Sequence, residues 1–350
     1  MWGKAEAIEK SFLLNSSPEA EFMAYTVCAL AGDGNCAATI QGVTLNLVAT
    51  TKTVNGQQVI DECYPTVGAA TKTTPAPPKS AAPTDAELQA VVTAMRNADV
   101  DRFQYSDYTL NWGKKEVGNQ DVSSAPLFTW VNETLFERTV YKKLIAIYDQ
   151  TLFHADTCIP ESNSSLRTAI LKDWLDMTAN TTVFQLAANY LQKAGKCKDI
   201  DDLKTRLYTL WFGTYSRCDN GILGSSGWEH VFSGEWKGTV VDGHHNWINY
   251  YRQEKAGGIN YHGHYSNCGN FTGTFQYQWQ KAFKKTGGFL IGTSPSFDFS
   301  LLSICVLTHP NGNNCKFNID GFPVGAVTYT QKCSVGTCIG TAYPVDFCSG

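Results

Sequence analysis

The chain has no run of about 18 apolar residues, which excludes a membrane-crossing helix and makes a soluble protein the expectation. It has no surplus of basic charge. With 28 Lys and Arg against 32 Asp and Glu, the formal net charge is −4, so any nucleic-acid contact has to be local and short. There is no Cys-x-x-Cys pair, no Cys/His spacing of a zinc finger and no His-Glu-x-x-His, which removes the commonest zinc motifs. Met1-Trp2-Gly3 lacks the charged and apolar regions of a secretory leader, so a mature form is expected.

What is present points outward from the cell. Twelve cysteines are scattered singly, and five glycosylation acceptor sites begin at Asn15, Asn132, Asn163, Asn180 and Asn270. Together they read as disulfides and glycans of a secreted protein. At 350 residues, 43% of them hydrophobic, the chain can bury a sizeable core and exceeds the usual size of one domain.

Residues 1–63 hold Cys28, Cys36 and Cys63 around a strand-favouring run with Ile40, Val43, Leu45, Leu47 and Val48. This reads as a small β-rich, disulfide-tied module in which one of the three cysteines pairs elsewhere or stays free. Residues 64–83 shift to Pro, Ala, Thr and Lys, the composition of an extended linker. Thr84-Asp-Ala-Glu87 then has capping-box spacing. Leu88, Val91, Val92 and Met95 follow as an amphipathic stripe, predicting a helix over 85–98. Further helical stripes lie at 136–147, 170–175, 184–191 and 203–211. After Cys218, short β-rich runs take over, including 289–292, 297–307, 316–319, 326–330 and 340–345. Helices followed by strands argue for an α+β fold.

The densest chemistry lies between Gly224 and Asn249, where three histidines, two glutamates and eight glycine or serine residues stand among tryptophans. His230 falls in an expected strand and His245 at the start of an expected short helix over 246–254. Two imidazoles can act as base and acid in one turnover, and a lysine from Lys281, Lys284 and Lys285 can supply fixed positive charge. Such a set can cleave RNA without a metal-bound nucleophile. Two other readings stand beside it: hydrogen-bonded structural histidines, and a zinc site from His244-His245 and His262-Gly-His264 with Glu229 or Glu235. The zinc spacings match no common motif, and neighbouring helical residues point about 100° apart.

At Gly227-Trp-Glu-His-Val-Phe-Ser-Gly-Glu235, His245-Asn-Trp-Ile248, Gln253-Glu-Lys255, Ile291-Gly-Thr-Ser-Pro-Ser-Phe297 and Thr341-Ala-Tyr343, the chain strongly resembles the EndoU family of poly(U)-specific endoribonucleases. Trp211-Phe-Gly-Thr-Tyr-Ser-Arg217 also looks like the family's helical part. The resemblance spans about 85–345 and leaves out residues 1–63. It implies a helical part followed by two antiparallel β-containing lobes around a cleft, in a domain over 84–350. It also implies cleavage of single-stranded, uridine-containing RNA to a 2′,3′-cyclic phosphate and a 5′-hydroxyl. His230 and His245 would be the acid/base pair and Lys284 the charge stabiliser, with Lys281 and Lys285 as fallbacks. Glu229 and Glu235 would be supporting carboxylates, Glu229 pointing away from His230 if both lie in a strand. Thr341, Tyr343 and Ser294 would be substrate-binding residues, and Mn²⁺ or Ca²⁺ would stimulate from a site the sequence does not locate. Position 244 is His where relatives often carry an aromatic residue, and Gly288 stands where some carry Ser. A monomer that does not act on DNA is expected. The alternative is a catalytically weak RNA-binding protein using the same cleft.

Overall fold

A computed structural model of the chain describes residues 25–26, 28, 35–40, 43–54, 57–67, 83–115, 118–150, 152–219 and 221–348. The chain divides into two units, Met1–Lys79 and Ser80–Gly350. In the first, strands β1 (Asn35–Ile40), β2 (Val43–Val54) and β3 (Gln57–Val67) form an antiparallel meander. A disulfide joins Cys28 to Cys36, and Cys63 is a free, exposed thiol. The β-rich expectation holds, but pairing of Tyr64 and Pro65 with β2 carries the third strand past the expected module end. The rest of the expected linker, residues 68–82, and Asn15 lie outside the described residues.

The second unit opens with helix α1 (Asp85–Ala98), whose Thr84/Glu87 capping box forms as the spacing predicts. A short hairpin of β4 (Tyr108–Leu110) and β5 (Phe128–Val131) follows. Helices α2 (Thr139–Asp149), α3 (Ser165–Ala179), α4 (Thr182–Lys193) and α5 (Ile200–Phe212) then take up the four remaining stripes, except that Phe136 falls in the 3₁₀ turn Glu133–Glu137 before α2. Strands β6 (Thr214–Tyr215) and β7 (Ser225–Ser226) form a short antiparallel pair, and two larger sheets complete the unit. One is five-stranded, in the order β10-β11-β12-β9-β8. Its members are β8 (Glu235–Lys237), β9 (Val240–Gly243), β10 (Ile259–Cys268), β11 (Thr272–Trp279) and β12 (Ala282–Gly287). It is antiparallel except where β12 meets β9. The other is the meander β13 (Gly312–Ile319), β14 (Phe322–Cys333) and β15 (Gly336–Asp346). Among the described residues, no helix is long and apolar enough to cross a membrane.

Three sequence expectations are corrected. Residues 297–307 are not a strand but part of helix α7 (Pro295–Thr308), capped by Ser294 and started by Pro295. That helix is buried on every side from Pro295 to Val306, so it shows no amphipathic period and its apolar run imitates a strand. Residues 289–292 contribute only a single bridge, Thr272 to Leu290. His230 lies in a π-helical turn, Glu229–Ser233, and not in a strand. Trp228, Val231 and Phe232 explain that turn: all three are buried. Trp228 stacks on Phe232 at 4.2 Å and meets Trp174 of α3 edge-on at 4.3 Å. With those side chains committed to the helical core, His230 is left for the opposite side.

Candidate active site

The π-helical turn hands its chain to β8 and β9, which brings Glu235 back to His230. Glu235 Oε1 lies 2.8 Å from His230 Nδ1, and Thr341 Oγ1 of β15 lies 2.8 Å from His230 Nε2. Gly243 is required at the end of β9. A Cβ there would stand 2.3 Å from the His230 carbonyl oxygen and 2.5 Å from its ring, so only glycine lets this strand pass the imidazole.

His245 precedes helix α6 (Trp247–Lys255), which Asn246 caps through the Asn249 N–H. Its own N–H donates to Val231 O at 2.8 Å, tying the two histidine segments together. The rings of His230 and His245 are 5.6 Å apart, centre to centre. His245 Nδ1 contacts the Gly288 carbonyl at 3.0 Å. A carbonyl only accepts, so Nδ1 carries the proton and Nε2 keeps its lone pair. Tyr343 stacks on the His245 ring at 4.9 Å and 19°.

Lys284 of β12 completes the cluster. Its side chain is buried and Nζ donates to Asp242 O at 2.7 Å. The fallback lysines are exposed, Lys281 reaching Asp156 and the Trp236 ring. Burial brings Lys284 down to about 8, against the pull of Asp242 and Glu235. Burial first, then Lys284, holds His245 well below the usual imidazole range. His230 is lowered too, by burial, Arg217 and Lys284. Burial pushes Glu235 up to about 7. Both imidazoles are therefore neutral at rest, with a proton of near-neutral affinity held beside His230.

Arg217 and Asp242 are the residues that sequence reasoning passed over. Arg217 Nε lies 2.7 Å from Glu235 Oε1, and its Nη1 lies 3.0 Å from Asp242 Oδ2. Its Nη2 donates to the carbonyl of Gly340, the residue left unpaired where the β14–β15 register slips. Nothing in the spacing announces this role, although Arg217 adjoins Cys218, which is anchored to Cys158. Glu229 is fully buried. It is pushed up by burial and by the neighbouring carboxylates Glu235 and Glu161. Glu161 in turn faces Arg167 Nη2 at 3.6 Å. Ser294, expected at the substrate, is buried as the cap of α7: its hydroxyl accepts the Phe297 N–H and its own N–H binds Asp99.

The alternative zinc cluster does not assemble. His244 turns away from His245, stacks on Trp279 at 4.5 Å and meets Tyr277 OH at 3.1 Å. His264 Nδ1 binds the Trp112 carbonyl, and His262 faces Asp121. Among the described residues, the grouping suited to a metal is His230, Glu235 and Asp242, whose ligand atoms lie within 4.8 Å of one another. Arg217 already bridges both carboxylates, and Nδ1 of His230 is engaged with Glu235. A divalent ion does not fit these donors as they stand, because a guanidinium already supplies the positive charge they would bind.

A family model described as endoribonuclease XendoU matches residues 87–344. The chain belongs to the XendoU endoribonuclease family. A mouse uridylate-specific endoribonuclease is 33% identical over 288 residues, covering 76% of this chain and 67% of that protein. A Paralichthys olivaceus protein of the same name is 34% identical over 259 residues, 71% of this chain and 66% of its own length. Uridylate-specific endoribonuclease B of zebrafish is 32% identical over 279 residues, 75% of this chain and 96% of its own. The XendoU structure, described as a splicing-independent snoRNA processing endoribonuclease, superposes with a TM-score of 0.64 at 28% identity. It covers 75% of this chain and 98% of that one. The mixed helix and strand architecture is thus that of the XendoU family.

Proposed function

We propose that the unit holding residues 84–350 is a uridylate-specific endoribonuclease that cuts single-stranded RNA by transesterification. The observation that carries this reading is the convergence of His230, His245 and the buried Lys284 ammonium, within a member of the XendoU family. In this reading His245 Nε2, neutral and with its lone pair free, takes the proton of the ribose 2′-hydroxyl. The 2′-oxygen then attacks phosphorus, and Lys284 stabilises the negative charge gathering on the phosphorane oxygens. His230 Nε2 gives a proton to the departing 5′-oxygen while Nδ1 recovers one from Glu235. The P–O5′ bond breaks, leaving a 2′,3′-cyclic phosphate and a 5′-hydroxyl, so the enzyme acts as an RNA lyase. Thr341, bonded to His230, and Tyr343, stacked on His245, form the wall against which a uracil and its ribose sit. Glu229 supports the turn that carries His230.

Stimulation by Mn²⁺ or Ca²⁺ belongs to the same reading, and no step above is routed through an ion. Secretion and glycosylation remain part of it as well. They are supported by the five disulfides and by the half-exposed or exposed positions of Asn132, Asn163, Asn180 and Asn270. The test is incubation with oligouridylate and oligoadenylate, each with Mn²⁺, with Ca²⁺ and with chelator, followed by analysis of the product ends. Cyclic phosphate ends on the uridylate alone are expected. A 3′-hydroxyl end overturns the mechanism, and binding without cleavage supports the RNA-binding alternative.

A further inference from the structure

The sheet β13-β14-β15 has two faces of different character. Thr328 and Ala342, opposite one another on β14 and β15, are fully buried. Tyr329 and Thr341 form the next pair and belong to the other face, where Tyr343 also lies two residues along β15. Directly opposed residues of an antiparallel pair place their Cβ atoms about 5 Å apart. Tyr329 is therefore one cross-strand step from the hydroxyl that bonds His230 Nε2. The Tyr329 phenol is also close enough to Tyr343 to add to burial in pushing that residue up.

Tyr343 and Tyr329 are nevertheless used differently. Tyr343 is half-buried and stacked on His245. Tyr329 is 50% exposed, and among the described residues its ring stacks on no other. The slip at Gly340 fixes this arrangement: it lies next to the Tyr329–Thr341 pair, and its carbonyl is held by Arg217. An exposed aromatic ring held on a strand, beside a phosphate-handling cluster and a nucleobase wall, is the furniture of a stacking subsite.

We propose that the Tyr329 ring stacks on the base of the nucleotide adjoining the scissile uridylate, making this face a two-base platform shared with Tyr343. The proposal rests on the endoribonuclease reading and deepens it. It assigns the enzyme a preference for a base-bearing neighbour, which a site reading uridine alone would not have.

The test uses short RNAs with a single uridine, flanked on one side or the other by a purine or by an abasic ribose. The full chain should process base-flanked RNA more efficiently than abasic-flanked RNA by about 5- to 100-fold in kcat/KM, the range expected for one stacked base. In Tyr329→Ala that ratio should collapse towards one, and Tyr329→Phe should restore it. An equal loss on both kinds of RNA, or no loss of the ratio, overturns the proposal. Binding of the same RNAs with 2′-fluorouridine at the scissile position, read by fluorescence, gives the ratio without turnover. If the chain cleaves nothing, the endoribonuclease reading fails, while a binding ratio lost in Tyr329→Ala still upholds the platform and an unchanged one rejects it.

Discussion

Replacing Lys284 with methionine should make the protein more stable and nearly inactive. The ammonium is buried, and its value falls from 10.5 to about 8 because burial outweighs the attraction of Asp242 and Glu235. At 1.36 kcal/mol per pH unit, holding the charge in the folded state below pH 8 costs about 3 kcal/mol. Between pH 8 and 10.5 the unfolded chain binds more protons at this site than the folded one, so the parent gains stability as pH rises through that window. Below pH 8 it carries the full penalty. Methionine fills a similar volume without charge, although it forfeits the bond from Nζ to Asp242 O, worth about 1 kcal/mol. A net gain of about 2 kcal/mol at pH 7 remains, or roughly 4–8 °C in Tm for a domain of this size. Cleavage should fall about 10²- to 10³-fold, as for loss of one preorganised electrostatic stabiliser. Thermal unfolding at pH 7 and pH 10 and oligouridylate cleavage by the same preparation decide the matter. A variant less stable than the parent at pH 7, or one whose advantage grows with pH, refutes the reasoning.

His245→Ala should lower kcat on oligouridylate by about 10²- to 10⁴-fold with an unchanged circular dichroism spectrum; retained turnover removes His245 as the base. Gly243→Ala should push the new methyl group into His230, destabilise by about 1–3 kcal/mol and reduce cleavage, both measurable on one sample. Asp242→Asn should leave the ratio of rates with Mn²⁺ and with chelator unaltered, since Arg217 stands where an ion would have to bind. A ratio that falls to one would place the ion at His230, Glu235 and Asp242.

Much of the fold was legible where one physical signal dominated. The Thr84/Glu87 spacing and the stripe from Leu88 to Met95 required a capped amphipathic helix, and α1 is that helix. Periodicity failed where burial was complete: α7 carries Phe297, Phe299, Leu301 and Leu302 on all sides, so its capping signals, Ser294 and Pro295, were the informative residues. Those two residues also explain why Ser294 is occupied by the helix end. His230 was misplaced for a related reason. Trp228, Val231 and Phe232 can bury as a strand or as a turn, and only contact with Trp174, Trp211 and Phe299 selects the turn.

The charged half of the site was beyond the reach of pattern because its partners come from distant segments. Arg217 joins Glu235, Asp242 and the Gly340 carbonyl, contacts that exist only once β9 and β15 have both been laid against it. The same guanidinium also explains how Glu235 can sit fully buried beside His230. Without a cation the buried carboxylate would stay protonated, whereas Arg217 moderates the effect of burial and leaves Glu235 near 7. A carboxyl poised there can pass a proton to His230 as well as receive one. In the mechanism proposed above, Arg217 is therefore linked to the acid step through Glu235, without a bond of its own to His230, and its place in the site follows from electrostatics that no local stretch of the sequence records.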